Sequence, residues 1–319
     1  MISIIAPCFN EEEVLPQFYD EVTKVMNRTR YDYEIIFIND GSRDRTLEIL
    51  RDLSKGDKKV NYISFSRNFG KEGAMLAGLN FSKGDAVIIM DTDLQHPPEL
   101  IPEMISYFEK GYDQVIAKRN RKGESFFRAF VSKIYYKCIN QFVDITLADG
   151  VGDFRLLSRQ AVNALLSLNE YNRFSKGLFS WIGFKEHMIE FENVNRTAGI
   201  SKWSFLKLLN YAIDGLVSFN NKPLRIAIYM GLTVTLLDIL YVLFMFIKTL
   251  LNGPDVPGYF TIIASVSLFG GIQLIFLGLI GEYIGRIYYE SKKRPHYIVE
   301  EESFTQKSEE RQDKHHVLY

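Results

Sequence analysis

The run Ala86-Val87-Ile88-Ile89-Met90-Asp91-Thr92-Asp93-Leu94-Gln95 places five apolar residues directly before two carboxylates separated by one residue. A short apolar run bounded by turn residues reads as a strand covered on both faces. Two acids at its end can jointly hold a hard divalent cation. Mg²⁺ prefers oxygen ligands, keeps some waters and commonly bridges protein carboxylates to substrate phosphates. The strand end therefore predicts a site for Mg²⁺ or Mn²⁺ and a nucleotide diphosphate. An Asp-x-Asp triplet alone is weak, because many are solvated turns, so its position carries the weight.

Working outward, apolar runs alternate with stretches of helical period, the pattern of a parallel sheet covered by helices. Ile2 to Pro7, Tyr33 to Asp40 and Val60 to Phe65 read as strands. Thr46 to Ser54, Gly73 to Ser82 and Pro98 to Glu109 read as helices. Asn10 is a candidate cap for a first helix whose Val14, Phe18, Val22 and Val25 share a face, with Glu11 to Glu13 in its first turn. Right-handed connections line up the carboxyl ends of the strands along one edge, where a ligand crevice forms.

Three further polar clusters fall on that edge. Pro7-Cys8-Phe9-Asn10-Glu11 follows the first strand, with Glu11 placed to reach a nucleoside. Asn39-Asp40-Gly41-Ser42-Arg43-Asp44 follows the second, where Asp40 can accept hydrogen bonds from a base or ribose while Gly41, Ser42 and Asp44 suit a turn and helix cap. Arg67-Asn68-Phe69-Gly70-Lys71 follows the third and turns Lys71 toward the nucleotide. From Arg119 to about Ile200 the periodicity assigns no topology, although Arg128 to Lys137 is basic and amphipathic.

The chain has 319 residues, with 38 Lys and Arg against 39 Asp and Glu, a balance that argues against a nucleic-acid binder. Cys8 and Cys138 lack metal-ligand spacing and read as free thiols in a reducing compartment. Met1 leads straight into Ile2, Ile4 and Ile5 without a basic stretch, which speaks against a secretory signal peptide.

Ile226 to Ile247 and Phe260 to Gly281 are each 22 residues long, and a bilayer core takes about 20 residues of helix. Lys222, Arg225, Arg286, Lys292, Lys293 and Arg294 flank the outer ends, so the positive-inside rule places both ends in the cytoplasm. Asp238 and Gln273 lie near mid-span, where hydrogen bonding within the hairpin or an oligomer is the plainer reading. Ser204 to Phe219 has the spacing of a helix lying on the membrane surface or of an ordinary core helix. The expected order is a domain over 1–200, an interfacial helix over 201–223, a hairpin over 224–290 and a disordered polar tail over 291–319.

Taken together, the four edge clusters resemble the nucleotide-binding half of a family-two glycosyltransferase of GT-A fold. The likeness extends through Gly152-Asp153-Phe154-Arg155 and through Arg196-Thr197-Ala198-Gly199-Ile200-Ser201-Lys202, both similar to the polyprenyl-phosphate branch that includes bactoprenol glucosyltransferases and dolichol-phosphate mannose synthases. It covers roughly residues 1 to 290. The implied fold class is α/β: a Rossmann-like, mostly parallel GT-A domain in the cytosol with a C-terminal two-helix transmembrane hairpin.

The resemblance implies that Asp91 and Asp93, with Gln95 as a further candidate, hold the metal and the donor diphosphate. It places Pro7, Glu11, Asp40 and Lys71 around the nucleoside. Asn39 stands where many relatives carry an acid, which leaves Asp40 as the indispensable member of that pair. Arg128 and Ser132 look like the acceptor-phosphate clamp, with Arg119 or Arg121 as helpers. Arg196 and Lys202 resemble a basic loop that closes over phosphates, and a basic face that merely adheres to the membrane is the alternative. Asp93 and Asp153 stand nearest the reacting centre. A general-base role for Asp153 is weakly demanded, because a phosphate monoester with a second pKa of about 6 is already ionised at neutral pH.

The implied reaction is inverting transfer of a hexose, with UDP-glucose preferred over GDP-mannose or a UDP-N-acetylhexosamine, to undecaprenyl or a related polyprenyl phosphate at the cytoplasmic face. The products would serve cell-envelope glycan modification. A homo-oligomer, with a tetramer among the options, is suggested by Gly278, Gly281 and Gly285 and by relatives that assemble through their helices. A processive polysaccharide synthase would need more spanning helices and a Gln-x-x-Arg-Trp motif, and a dehydrogenase would need a Gly-rich phosphate loop. The rival from another class is a non-catalytic sugar-nucleotide scaffold or flippase-like subunit.

Overall fold

A computed structural model describes residues 1–120, 150–191, 222–252 and 258–304. Eight strands form one sheet: β1 (Ile2–Cys8), β2 (Tyr33–Asn39), β3 (Val60–Phe65), β4 (Ala86–Ile89), β5 (Gln114–Arg119), β6 (Val151–Ser158), β7 (Glu186–Phe191) and β8 (Val299–Glu302). Their spatial order is β7-β5-β6-β4-β1-β2-β3-β8. Strands β4, β1, β2 and β3 run parallel, as does β7 beside β5, whereas β6 is antiparallel to both β4 and β5. The expected α/β architecture is met. Every residue of β2 is buried, as it must be in a strand with helices over both faces.

One face is covered by α1 (Leu15–Met26), α2 (Thr46–Gly56) and α4 (Ile101–Glu109), whose Leu15, Phe18, Leu50 and Met104 pack on Ile4 and Phe37. The other is covered by α3 (Lys71–Phe81), α5 (Arg159–Leu166) and α6 (Ser175–Trp181), through Ala74, Leu165 and Leu178 against Ile5 and Ile38. Small residues draw α3 onto the sheet: a Cβ at Gly78 would lie 2.3 Å from Ile5 Cγ2 and 3.0 Å from Ile38 Cδ1. That close approach sets the height at which Lys71, the first residue of α3, enters the carboxyl edge.

Three expectations are corrected. Asn10 does not cap α1, which starts at Leu15 with proline in its first turn and no acid there, so Glu11 to Glu13 precede the helix. Asn10 adopts φ 55° instead, because its polar groups are used to join two loops. The tail is not structureless over 299–302, where β8 pairs antiparallel with β3 and covers what would be an open sheet edge.

Two long helices, α7 (Lys222–Asn252) and α8 (Tyr259–Lys292), contain the two apolar runs expected at 226–247 and 260–281. Leu240, Leu243, Phe244, Ile262, Leu274 and Ile275 are all more than half exposed, an apolar surface that lipid would cover. Among the described residues, Leu268–Lys292 is long and apolar enough to cross a membrane, and Tyr229–Tyr241 is a shorter apolar stretch. The foot of α8 is bonded to the domain built on the sheet. Glu290 Oε2 accepts the Tyr171 amide at 2.9 Å, and Tyr289 stacks on Tyr171 at 5.9 Å. Beyond it, Tyr297 stacks on Phe65 at 5.0 Å and Phe304 lies against Phe81 at 5.2 Å.

Candidate active site

Sheet order reverses at β1, with β4 on one side and β2 on the other, so a crevice opens at the carboxyl ends of these strands. The loops after β1 and β2 are stitched to each other there. The Asn10 amide donates to Ser42 Oγ, the Arg43 amide to Asn10 Oδ1, the Glu11 amide to Thr46 Oγ1 and the Glu12 amide to Asp44 Oδ2, all within 3.2 Å. Ser42 and Asp44 are thus framework residues. Pro7 and Glu11 are both partly buried.

Asp40 is 4% exposed, and its two oxygens accept the backbone amides of Phe69 at 2.6 Å and Gly70 at 2.9 Å. Burial pushes its carboxyl up, and those two amides pull against the rise. In this structure Asp40 holds the loop that introduces α3. Gly41 is the point of closest approach: its φ is 66°, and a Cβ there would lie 2.4 Å from the Arg67 carbonyl carbon. Asn39 donates to Ser64 Oγ at 2.9 Å and accepts the Ser42 amide at 3.1 Å.

Because β6 runs against β4, its first residues arrive at the edge where β4 ends, with Arg155 paired to Ile89. That antiparallel entry brings Asp153 beside Asp91. Lys71 bridges them, its Nζ 2.6 Å from Asp91 Oδ1 and 2.5 Å from Asp153 Oδ2. Burial alone would raise the Asp153 carboxyl, but Lys71 and then Lys176 override it and hold the group below the usual carboxylate range. Desolvation likewise opposes the charge on Lys71, and Asp153 and Asp91 more than restore it. Both groups are ionised at neutral pH.

Asp93 Oδ1 accepts the Gln95 amide at 3.1 Å in a turn where Leu94 takes φ 56°, and Gln95 Oε1 accepts from the Arg119 guanidinium at 3.3 Å. The Asp-x-Asp segment, Gln95 and Arg119 therefore form one connected group. His96, passed over in the sequence although it follows this motif directly, is 7% exposed and stacks on Phe154 at 5.0 Å. Its Nδ1 accepts the Asp91 amide at 3.2 Å, so it fixes the backbone that carries the acid. Burial pushes the imidazole down toward its neutral form, which the accepting nitrogen requires.

The donor chemistry fits a hard cation. No group of three or more His, Cys, Asp or Glu converges among the described residues, and Asp91, Asp93 and Gln95 are oxygen donors on this edge of the sheet. That is the partial set Mg²⁺ or Mn²⁺ completes with substrate phosphates and water. The place between Asp91 and Asp153 already attracts a positive group, the Lys71 ammonium. Arg121, Arg128, Ser132, Arg196 and Lys202, and the surface-helix stretch Ser204 to Phe219, lie outside the described residues.

Residues 3–166 match the family described as Glycosyl transferase family 2. The chain belongs to glycosyl transferase family 2. Within this family-two enzyme, residues 222–287 match the GtrB C-terminal hairpin, the stretch occupied by α7 and most of α8, and membrane association follows from that hairpin and its apolar surface. It is 58% identical over 307 residues to CsbB of Bacillus subtilis (strain 168), covering 96% of this chain and 93% of that one. It is 45% identical over 302 residues to the bactoprenol glucosyl transferase of Shigella phage SfV, covering 94% and 98%. A prophage bactoprenol glucosyl transferase homolog of Escherichia coli (strain K12) is 43% identical over 299 residues, covering 93% and 98%. The chain is a glycosyltransferase.

Proposed function

We propose that this glycosyltransferase moves a glucosyl group from UDP-glucose to a polyprenyl phosphate, undecaprenyl phosphate in a bacterial membrane, at the cytoplasmic face. The observation that carries the reading is the Lys71 bridge between Asp91 and Asp153 at the carboxyl edge of the sheet. The bactoprenol glucosyl transferases, alike over nearly the whole chain, support the sugar and the lipid.

Asp91 and Asp93, with Gln95, would hold Mg²⁺ or Mn²⁺. When bound, such an ion supplies positive charge for the departing nucleotide diphosphate. Pro7 and Glu11 line the nucleoside pocket, and Asp40 shapes it by holding the 67–70 loop. Lys71 orients the two carboxylates and offsets their charge toward an anionic substrate. Arg119, Arg128, Ser132, Arg196 and Lys202 receive the acceptor phosphate, consistent with guanidinium and ammonium recognition of phosphate oxygens.

An oxygen of the lipid phosphate attacks the anomeric carbon and forms the new carbon–oxygen bond as the bond to the diphosphate breaks, and UDP leaves with the electron pair. The anomeric centre inverts. Asp153 orients Lys71 rather than taking a proton, because a carboxyl held below its usual range is a weak base. The hairpin spans the bilayer twice with both ends cytoplasmic, and its helices join copies of the chain into a homo-oligomer.

The test is membrane-reconstituted protein incubated with undecaprenyl phosphate and radiolabelled UDP-glucose, GDP-mannose and UDP-N-acetylhexosamines. Transfer from UDP-glucose, lost on chelation of divalent ions and in Asp91→Ala and Asp93→Ala, is expected. Undiminished turnover by either variant refutes the metal assignment. Metal-dependent nucleotide binding with no transfer to any lipid phosphate would instead favour a scaffold.

A further inference from the structure

Two sequence-adjacent pairs meet where α3 and α6 begin. Glu72 follows Lys71, and Lys176 follows Ser175. The Ser175 amide donates to both Glu72 carboxylate oxygens, at 3.1 and 3.2 Å, and the Ser175 hydroxyl donates to Oε2. Ser175 is buried, so the latch is shielded from water. A carboxylate that accepts three hydrogen bonds from one residue fixes that residue's backbone as well as its side chain. The start of α6 is thereby pinned to the start of α3, across 103 residues of chain.

Lys176, the next residue of α6, is thereby held on the side of the site where its charge acts on the Asp153 carboxylate. Among the cations around that carboxylate, Lys71 acts on it most strongly and Lys176 next, ahead of Arg155. Arg155 is fully buried, with its guanidinium 3.7 Å over the Phe179 ring of α6 and one nitrogen donating to the Gly152 carbonyl at 2.8 Å. Its Nε has no hydrogen-bond partner among the described residues. Lys71 is already shared between Asp91 and Asp153. The charges of Lys71, Lys176 and Arg155 all act on Asp153, whose side chain is 16% exposed, and burial together with Lys71 and Arg155 works against the charge on Lys176, which Asp153 and Glu72 partly restore. A cationic group held next to like charges in a partly dry site gains from an added anion.

The geometry points to Lys176 as a phosphate-binding residue of the reacting centre, with Glu72 and Ser175 as positioning residues that hold it there through their latch. The inference rests on the reading of Asp91 and Asp153 as that centre. The anion is a phosphate oxygen, supplied either by the donor diphosphate or by the lipid phosphomonoester.

The experiment uses the full chain in lipid nanodiscs, with KM measured separately for UDP-glucose and undecaprenyl phosphate and UDP affinity measured by calorimetry in the presence of Mn²⁺. Lys176→Met should raise one of the two KM values at least tenfold, and Lys176→Arg should restore most of the loss. Ser175→Ala and Glu72→Gln should raise the same KM by a smaller factor. Weaker UDP binding assigns the contact to the donor, and unchanged UDP binding with a raised lipid KM assigns it to the acceptor. If Lys176→Met does not fold, the Ser175→Ala and Glu72→Gln shifts decide alone. Unchanged KM values in the folded variants overturn the inference, as does an equal fall in kcat for Lys176→Met and Lys176→Arg. Asp91→Ala run alongside separates the cases, because full activity there removes the site itself rather than Lys176 from it.

Discussion

The ion pair between Lys71 and Asp153, 2.5 Å from Nζ to Oδ2, joins the first residue of a helix packed on the parallel half of the sheet to the start of the antiparallel strand beside β4. It ties together two parts of the chain that the alternating pattern of strands and helices does not connect. Lys71→Met should leave Asp153 without its main partner. Loss of one member of a buried pair costs about 3–5 kcal/mol. Here the Lys71 side chain is 41% exposed, so screening reduces the expected loss to about 1–3 kcal/mol. Transfer should fall by at least about 100-fold, since 1.36 kcal/mol of barrier is tenfold in rate. Paired thermal melts and turnover assays check both, and a variant that turns over at the parental rate contradicts the role given to Lys71.

His96 accepts the backbone amide of Asp91 at 3.2 Å. His96→Ala removes the acceptor and the ring stacked on Phe154, leaving a partly buried amide without that partner at a cost of about 1 kcal/mol, the lower end of the penalty for an unsatisfied group. Activity should fall more than tenfold because Asp91 loses its fixed backbone. His96→Asn, whose amide oxygen can accept the same hydrogen bond, should recover part of it, and equal defects in the two variants would count against a positioning role.

At Gly41 the constraint is steric. A Cβ would fall 2.4 Å from the Arg67 carbonyl carbon and 2.6 Å from the Asn68 nitrogen, both backbone atoms, at φ 66°. Gly41→Ala must shift the 67–70 loop, and a strained backbone of this kind costs about 1–3 kcal/mol before the clash is counted. The expected outcome is a lower Tm together with a raised KM for the nucleotide sugar, because the displaced loop carries Lys71. A melt and a KM identical to the parent would show that the two loops separate without consequence.

Acid should release β8. The Arg51 guanidinium and the Tyr62 hydroxyl hold the Glu301 carboxyl down to about 2, against an ordinary value of 4.5. A depressed carboxyl contributes stability above its unfolded pKa and loses it as pH falls through the folded one. The contribution of Glu301 is thus complete above about pH 4.5 and declines toward pH 2. Hydrogen exchange of the 299–302 amides should accelerate on acidification through that window, and Glu301→Gln should abolish that pH dependence while loosening the strand at neutral pH.

The strands β1 to β4 and the faces of α1 to α4 were legible because their signal is local. Continuous apolar runs and period-3.6 burial are each complete within a few residues, and Asp91 and Asp93 directly follow such a run. Where the expectation failed, long-range contacts outweighed local preference. Asn10 gives up a helix cap to join the Ser42 loop, and Val299–Glu302, polar enough to read as tail, finds backbone partners on the open edge of β3.

By itself, the order of residues determined that a mostly parallel sheet would carry acids and a lysine on its carboxyl edge, that a family-two glycosyltransferase pattern runs through them, and that two apolar helices follow. Tertiary structure alone decided that β6 turns back beside β4 to set Asp153 against Asp91 and Lys71, that Glu72 latches Ser175, and that His96 supports Asp91. The reason is physical. Apolar periodicity reports which face of an element is dry, whereas the meeting of charged side chains distant in sequence depends on strand direction and helix height, which are fixed only when the sheet closes and buries them together.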